Sequence, residues 1–569
     1  MRSTRPATDP APTPGPPTNR LARRLPLTGV LRLGRPSDIW FKPALSVVAS
    51  LAPPNLLLLA LGRLDLAVYT MAGSLCALYA HNRPYAARAR ALTWVILGML
   101  GGLALALITA SLTSDAVVLV TVGALMAAAQ KALCDATSIG PPGNVVLTFI
   151  SSAALFVPQS PGQVPAHMAL AGTAALWAWL VGMAPGLLRP HGPERRATAQ
   201  ALNAAAAYAA TRGTGDGHAR ARAAAAAAVQ AAWQALLSTG TRSAPRRALE
   251  RLVVRAEVAL AAPADTDPER LRSWARELCG TGPVPHTGES PADTEELPGV
   301  DAVITGPYRP WWSRLGPLTP IAVRTALGCA LAGYASLALG VGRPYWALVT
   351  AASLYQANVT LTWSRSVQRV GGNLAGVLVF AAIAPLAHTS GAALVLCCLA
   401  LNFGAEALIG RNYWLGTICV TPMALLVTEF AGQHAAGELI TERAVDTLVG
   451  ALVGFVAAVA VTNRRAGDRI ENALTAVDRA RERAARLLAE ERPAPGALQS
   501  ARRGLAATLV ELRATVDAAS GEWWQRALPQ ERVVATERSA HRTLAATVRR
   551  LGLDAPVRGT DRTTEDVRP

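Results

Sequence analysis

The sequence predicts an all-α polytopic membrane protein: two repeated blocks of about six transmembrane helices, each followed by a polar helical segment. Three observations predict it. Hydrophobic residues make up 51% of the 569, yet they gather into long runs nearly free of charge instead of spreading through amphipathic elements. Those runs form two clusters, residues 40–188 and 319–462, with Arg-rich polar sequence after each. The clusters also share a register. At an offset of 279, Ser74-Leu75 meets Ser353-Leu354 and Arg90 meets Arg369, and with a slip of a few residues Gly98 and Gly102 match Gly372 and Gly376.

The elements follow in order. Residues 1–39 are Pro- and Arg-rich and lack an apolar h-region, which fits a disordered cytoplasmic tail and not a cleavable signal peptide. The first block offers apolar spans at 43–61, 66–80, 92–110, 116–133, 145–157 and 166–188. The fifth is short, bounded by Pro141-Pro142-Gly143 and Pro158, and could be re-entrant. Residues 189–318 form a linker in which 246–262 and 268–278 carry Ala, Arg and Glu at helical spacing, whereas 280–305 is loop-like. The second block offers spans at 320–340, 345–361, 370–387, 392–409, 413–430 and 444–462. In residues 463–569, apolar positions such as Ile470, Leu474, Val477, Leu505, Leu509 and Leu512 predict helical hairpins that pack on each other or on a partner copy.

Net charge is +17, carried almost wholly by Arg. The basic residues flank apolar runs, so anionic lipid headgroups explain them better than nucleic acid. With the N-terminus inside, the inward loops hold Arg83, Arg88 and Arg90, then Arg365 and Arg369, then Arg411; the outward loops hold only Arg63, Arg343 and Arg443. Both termini are therefore expected in the cytoplasm, and an even number of spans makes the repeat parallel. The seven cysteines show no paired metal-ligand spacing, and no GxxxxGK[ST] loop is present. No metal, cofactor or catalytic constellation is expected, and the chain does not read as an enzyme.

The residues with chemistry to offer are few. Arg90 and Arg369, in register at the inner mouth of each block, are candidates to gather an anionic substrate; lipid-facing anchoring is the competing role, and it is preferred for Arg83, Arg88 and Arg365. Within the spans, Lys131, Arg324 and Glu406 are costly charges. Arg324 could bind a substrate carboxylate. Glu406, and with it Lys131, could serve proton or ion coupling; ion pairing or snorkelling is the alternative. Glu429, Asp446, His388 and His434 are expected to be solvated at the outer side. The pairs Gly98–Gly102, Gly372–Gly376 and Gly450–Gly454 predict close helix packing, within the chain or in a homo-oligomer. Tyr345, Trp346, Tyr413 and Trp414 are expected in an interfacial aromatic belt.

Two stretches point to a family: Arg343-Pro-Tyr-Trp-Ala-Leu-Val-Thr350, and Trp363-Ser-Arg-Ser-Val-Gln-Arg-Val-Gly-Gly372 followed by Gly376. Together with Arg324, Glu442-Arg443 and Gly450, they resemble the fusaric acid resistance (FUSC-like) family. That family includes aromatic acid exporters and is distantly similar to plant aluminium-activated malate transporters. The second block carries the pattern best and the first looks like a diverged copy. The resemblance implies a bacterial inner-membrane exporter of organic or aromatic acids. A passive anion channel and a membrane scaffold that recruits cytoplasmic partners are the competing readings.

Overall fold

The computed structural model describes residues 25, 27, 29–34 and 40–550, apart from 212–215, 239–242, 262, 281, 286–311, 313–314, 431–434, 462–465, 495 and 522–528. Most of the expected loop at 280–305, His434 and the chain after residue 550 lie outside the described residues. Among those described, every regular element is helical.

Eight helices are long and apolar enough to cross a membrane. The first cluster holds α1 (Phe41–Ala60), α3 (Tyr85–Leu112), α4 (Ala116–Thr137) and α6 (Val164–Met183), the last extended by turns on both sides and by the short α7 (Pro185–Leu188). The second holds α12 (Leu315–Ala338), α14 (Val359–Ala387), α15 (Gly391–Ile409) and α17 (Ala436–Ala460). Four apolar helices are too short to span by themselves: α2 (Ala67–Ser74) with its 3-10 continuation Leu75–Leu78, α5 (Val145–Leu155), α13 (Tyr345–Leu354) and α16 (Tyr413–Glu429). α5 rises only about 16 Å, half of the hydrocarbon thickness. Each cluster thus runs long, short, long, long, short, long.

The expected spans at 66–80 and 345–361 end early, for a local reason. After Leu78 the chain turns extended at Tyr79 and left-handed at Ala80 (φ 62°). After Leu354 it is extended at Tyr355, and the Asn358 side chain accepts from the Leu361 N–H at 2.8 Å, which caps a new helix. That cap starts α14 at Val359, so Arg365 and Arg369 lie on a helix and not in a loop. Pro84 likewise precedes α3, which carries Arg88 and Arg90.

The two clusters interlock. α12 packs along α4 and α1 along α15, and Thr121 on α4 shares a 2.7 Å hydrogen bond with Tyr334 on α12. The glycine pairs of the second cluster sit at crossings: a Cβ at Gly372 would stand 2.6 Å from the Trp414 carbonyl oxygen, and one at Gly450 2.5 Å from that of Ala347. Gly376 and Gly454 are similarly tight against Thr421 and Ala351, and Gly102 against Gln130. Gly98 would meet only the Leu147 side chain, at an ordinary 3.6 Å.

The polar helices form two further layers. α8 (Gly192–Ala210), α9 (Asp216–Leu237), α10 (Ala244–Ala261) and α11 (Pro268–Cys279) close on a core of Leu202, Trp233, Leu252, Val253 and Leu271. α18 (Ala466–Ala489), α19 (Ala497–Ser520) and α20 (Gln530–Arg550) bury Ile470, Leu474, Val477, Leu505, Leu509 and Leu512. Part of the N-terminal stretch is docked instead of free. The Val30 carbonyl accepts from Gln368 and Asn412, and Gly34 N–H donates to the Arg411 carbonyl. Backbone groups satisfied in this way hold residues 30–34 against the first half of α14 and the start of α16.

Candidate functional site

The breaks after α2 and α13 open on one cavity of about 1280 Å³, lined by helices of both clusters. Non-helical backbone within a membrane-spanning bundle is tolerated where it lines a cavity, and both breaks line this one. His81, Asn82 and Arg83 follow the first break; Gln356 and Ala357 follow the second. The segment between α4 and α5 forms a third wall. It is held by Tyr79 Oη donating to the Gly143 carbonyl at 2.7 Å and Arg83 donating to the Ser138 carbonyl at 2.7 Å.

The charged side chains that line the cavity are mostly cationic, set among apolar ones. Arg365 lines it, with its guanidinium carbon 3.4 Å from the centroid of the Tyr413 ring. Arg369, one turn further along α14, is 4% exposed and donates to Tyr413 Oη at 2.9 Å, behind the wall. Arg324 lines the cavity and donates to the Val461 carbonyl at 2.7 and 3.1 Å, where a cation meets the carbonyl end of α17. Lys131 lines it too and pairs with Asp135 at 2.9 Å. Glu406 is the exception: its carboxylate faces the cavity with no hydrogen-bond or ion-pair partner among the described residues.

Arg90 is not at this site. It is exposed and donates to the Ser238 carbonyl beyond α9, at 3.2 Å. Arg88, expected to face lipid, is instead buried at 4% exposure and donates to His81 Nδ1 at 3.1 Å. Because a guanidinium can only donate, the His81 proton sits on Nε2. Burial first, and then the Arg88 charge, push the His81 imidazole down to about 3, so it stays neutral.

A second polar cluster corrects several expectations. Asp446 is 0% and Glu429 5% exposed, so neither is solvated. Ser336 donates to Asp446 at 2.6 Å, and His388 contacts Glu429 at 2.8 Å. Arg443 is a buried member of α17, 1% exposed, not a loop residue. Arg343 pairs with Glu442 and lies over Trp346. Trp346 and Tyr345 are core residues at 0% and 6% exposure, not members of an interfacial belt. Beside them Asn373 donates to Thr447 at 2.8 Å and accepts from Thr421 at 2.5 Å. A sequence signal for this cluster exists: Arg443, Thr447, Gly450 and Gly454 fall at 0, 4, 7 and 11 along one stripe of α17. Among the described residues no three His, Cys, Asp or Glu side chains converge as metal ligands would.

The fold and the cavity define a multi-pass, all-helical membrane protein. Residues 330–457, most of the second cluster, match the family described as "Fusaric acid resistance protein-like". The match takes in the RPYWALVT stretch, Arg365, Arg369, Glu406 and Arg443. Two curated relatives are similar over parts of their length. The "Uncharacterized membrane protein YvaC" of Bacillus subtilis (strain 168) is 32% identical over 137 residues, 24% of this chain and 22% of the relative. The "Uncharacterized protein ORF2" of Neisseria gonorrhoeae is 28% identical over 181 residues, 30% of this chain and 42% of the relative. The chain thus spans well under two thirds of either relative. No solved structure matches it.

Proposed function

We propose that the protein is a bacterial inner-membrane transporter that exports organic or aromatic acids in exchange for protons, with both termini in the cytoplasm. The observation that carries this reading is the cavity shared by the two clusters. It gathers Arg365, Arg324, Arg83 and Lys131 around space for a small acid, with one unpartnered carboxylate, Glu406, in its wall. The guanidinium groups attract and orient the substrate carboxylate. Glu406 carries the proton: it takes one up on the anion-free carrier at the outer side and releases it to the cytoplasm before the next anion loads among the arginines, so proton and anion cross in opposite directions. The matching order of long and short helices supports a parallel repeat of two six-helix blocks. In this orientation the cavity opens to the cytoplasm, from which an exporter loads. The basic residues then crowd the inner side, as the rule for positively charged loops requires.

The test is uptake of labelled aromatic carboxylates into inside-out vesicles, with and without a proton gradient. Accumulation that depends on the gradient establishes the exporter. Equilibration without a gradient means a passive anion channel, and absence of flux across a panel of acids refutes the transport reading.

A further inference from the structure

The linker helices and the C-terminal helices enclose a second cavity, of about 850 Å³, that shares no lining residue with the first. α9 and α10 form one side; α18, α19 and α20 form the other. Six arginines line it: Arg222, Arg483, Arg502, Arg503, Arg538 and Arg542. They face a single carboxylate, Glu257, which is already engaged. One Glu257 oxygen accepts from Arg502 Nη2 at 2.5 Å and the other from the Trp233 indole N–H at 2.9 Å. Arg502 is 3% exposed, and its Nε and Nη1 are buried without a partner. A buried, half-satisfied guanidinium at the edge of a cavity is costly unless something accepts from it. Much of the remaining wall is apolar, with Val229, Leu487 and Leu544 beside the polar Gln230, Gln234 and Ser500, and Arg503 stacks 4.0 Å over Trp233.

We infer that this cavity binds a small organic anion, an acid group on an aromatic or aliphatic body, with Arg502 as the buried contact for the acid. Nε and Nη1 of Arg502 lie on different edges of its guanidinium, so each offers a single N–H to an acid oxygen, and Arg538 and Arg542 add charge at the same cavity. The apolar wall takes the body, and the volume lies in the range of pockets for such ligands. His541 faces the same space; burial and the Arg222 charge push it down to about 4, so the empty cavity does not add a seventh cation. α19 connects this site to the membrane cavity. Arg502 and Arg503 stand at its start, Ala518 lines the membrane cavity, and the carbonyl of Gly521 accepts from the Thr360 N–H at the start of α14. An occupant that orders the start of α19 therefore bears on the helix that carries Arg365. The binding claim itself does not depend on the transport reading.

The experiment is equilibrium dialysis of labelled 1-naphthoate against the full-length protein in zwitterionic lipid nanodiscs, with no gradient present. We expect saturable binding that weakens at least tenfold in Arg502→Gln and several-fold in Arg538→Gln/Arg542→Gln. The latter pair is exposed and leaves the helix cores untouched. Arg365→Gln, in the other cavity, leaves the naphthoate response of His541, which lines this cavity alone, unchanged. Neutral 1-naphthylmethanol does not bind, and naphthoate raises the His541 imidazole pKa followed by nitrogen NMR. The inference is overturned by absence of saturable binding, by binding unaltered in both sets of arginine variants, or by inorganic phosphate competing as well as octanoate.

Discussion

The guanidinium carbon of Arg443 stands 5.1 Å from the centroid of the Trp346 indole, inside the apolar bundle. Arg443 makes no ion pair among the described residues: its neighbour Glu442 is engaged by Arg343, and Asp446, one turn on, accepts from Ser336. The indole face is a favourable surface for that charge. Trp346→Leu should therefore cost about 3 kcal/mol by combining lost volume with a stranded cation. In an Arg443→Met background the same change should cost about 1–2 kcal/mol less, since no cation remains to be stranded. Thermal unfolding of the four proteins in detergent checks it; equal costs in both backgrounds would show that the ring only fills space.

The glycine pairs are not equivalent. Gly450→Ala places a methyl group against the Ala347 carbonyl and the Thr350 side chain and should destabilise by about 1–3 kcal/mol. Gly98→Ala meets only ordinary contact and replaces a poor helix former, so it should be neutral or slightly stabilising. Melting temperatures of the two variants give the comparison, and a Gly98→Ala loss equal to that of Gly450→Ala would contradict the contact geometry.

Glu406→Gln keeps the shape of the cavity and removes its unpartnered carboxylate. If Glu406 carries the proton, gradient-driven accumulation should fall at least tenfold while counterflow exchange of acid for acid persists. Loss of both would mean that Glu406 holds structure or binds substrate, and no loss would remove it from the coupling step.

Much of this architecture is legible in residue order. Apolar runs located all eight long helices, and helical spacing located the cores around Leu474 and Leu505. What hydropathy does not encode is where a run stops being helical. Leu75–Leu78 is as apolar as the helix before it, and only Tyr79 and Ala80 mark the break through backbone angles. Net charge also misplaced the arginines. Arg88 and Arg443 look like loop anchors because flanking sequence is polar, yet helices beginning upstream carry both into the core. Arg365 and Arg369 differ by one helical turn, and sequence alone does not say which of them meets the cavity.

Gly521 closes α19 against α14. Its carbonyl accepts from the Thr360 N–H and, at 2.9 Å, from the Thr360 hydroxyl, and a Cβ there would overlap the carboxamide of Asn358, the cap of α14. Gly521→Val should push the two helices apart and cost the Asn358 cap, about 1 kcal/mol. Hydrogen exchange at residues 359–363 should quicken while that of α8–α11 is unchanged. Protection unaltered at both would mean that α19 does not bear on α14.

His541 makes the C-terminal helices sensitive to acid. Its imidazole is held at about 4, first by burial and then by Arg222 on α9. The other groups lining its cavity are Arg483 on α18, Arg502 and Arg503 on α19, Arg538 and Arg542 on its own helix, and Glu257 on α10. In the unfolded chain a histidine titrates near 6.5, so between about pH 6.5 and 4 the unfolded state binds the extra proton. Stability should be complete above pH 6.5 and fall as pH drops toward 4, by on the order of 3 kcal/mol for this group. His541→Gln should flatten that slope without changing stability at pH 8 by more than about 1 kcal/mol. Hydrogen exchange in α19 and α20, followed from pH 8 to pH 5 after correction for intrinsic exchange, measures it. An identical slope in His541→Gln would assign the acid sensitivity to another group.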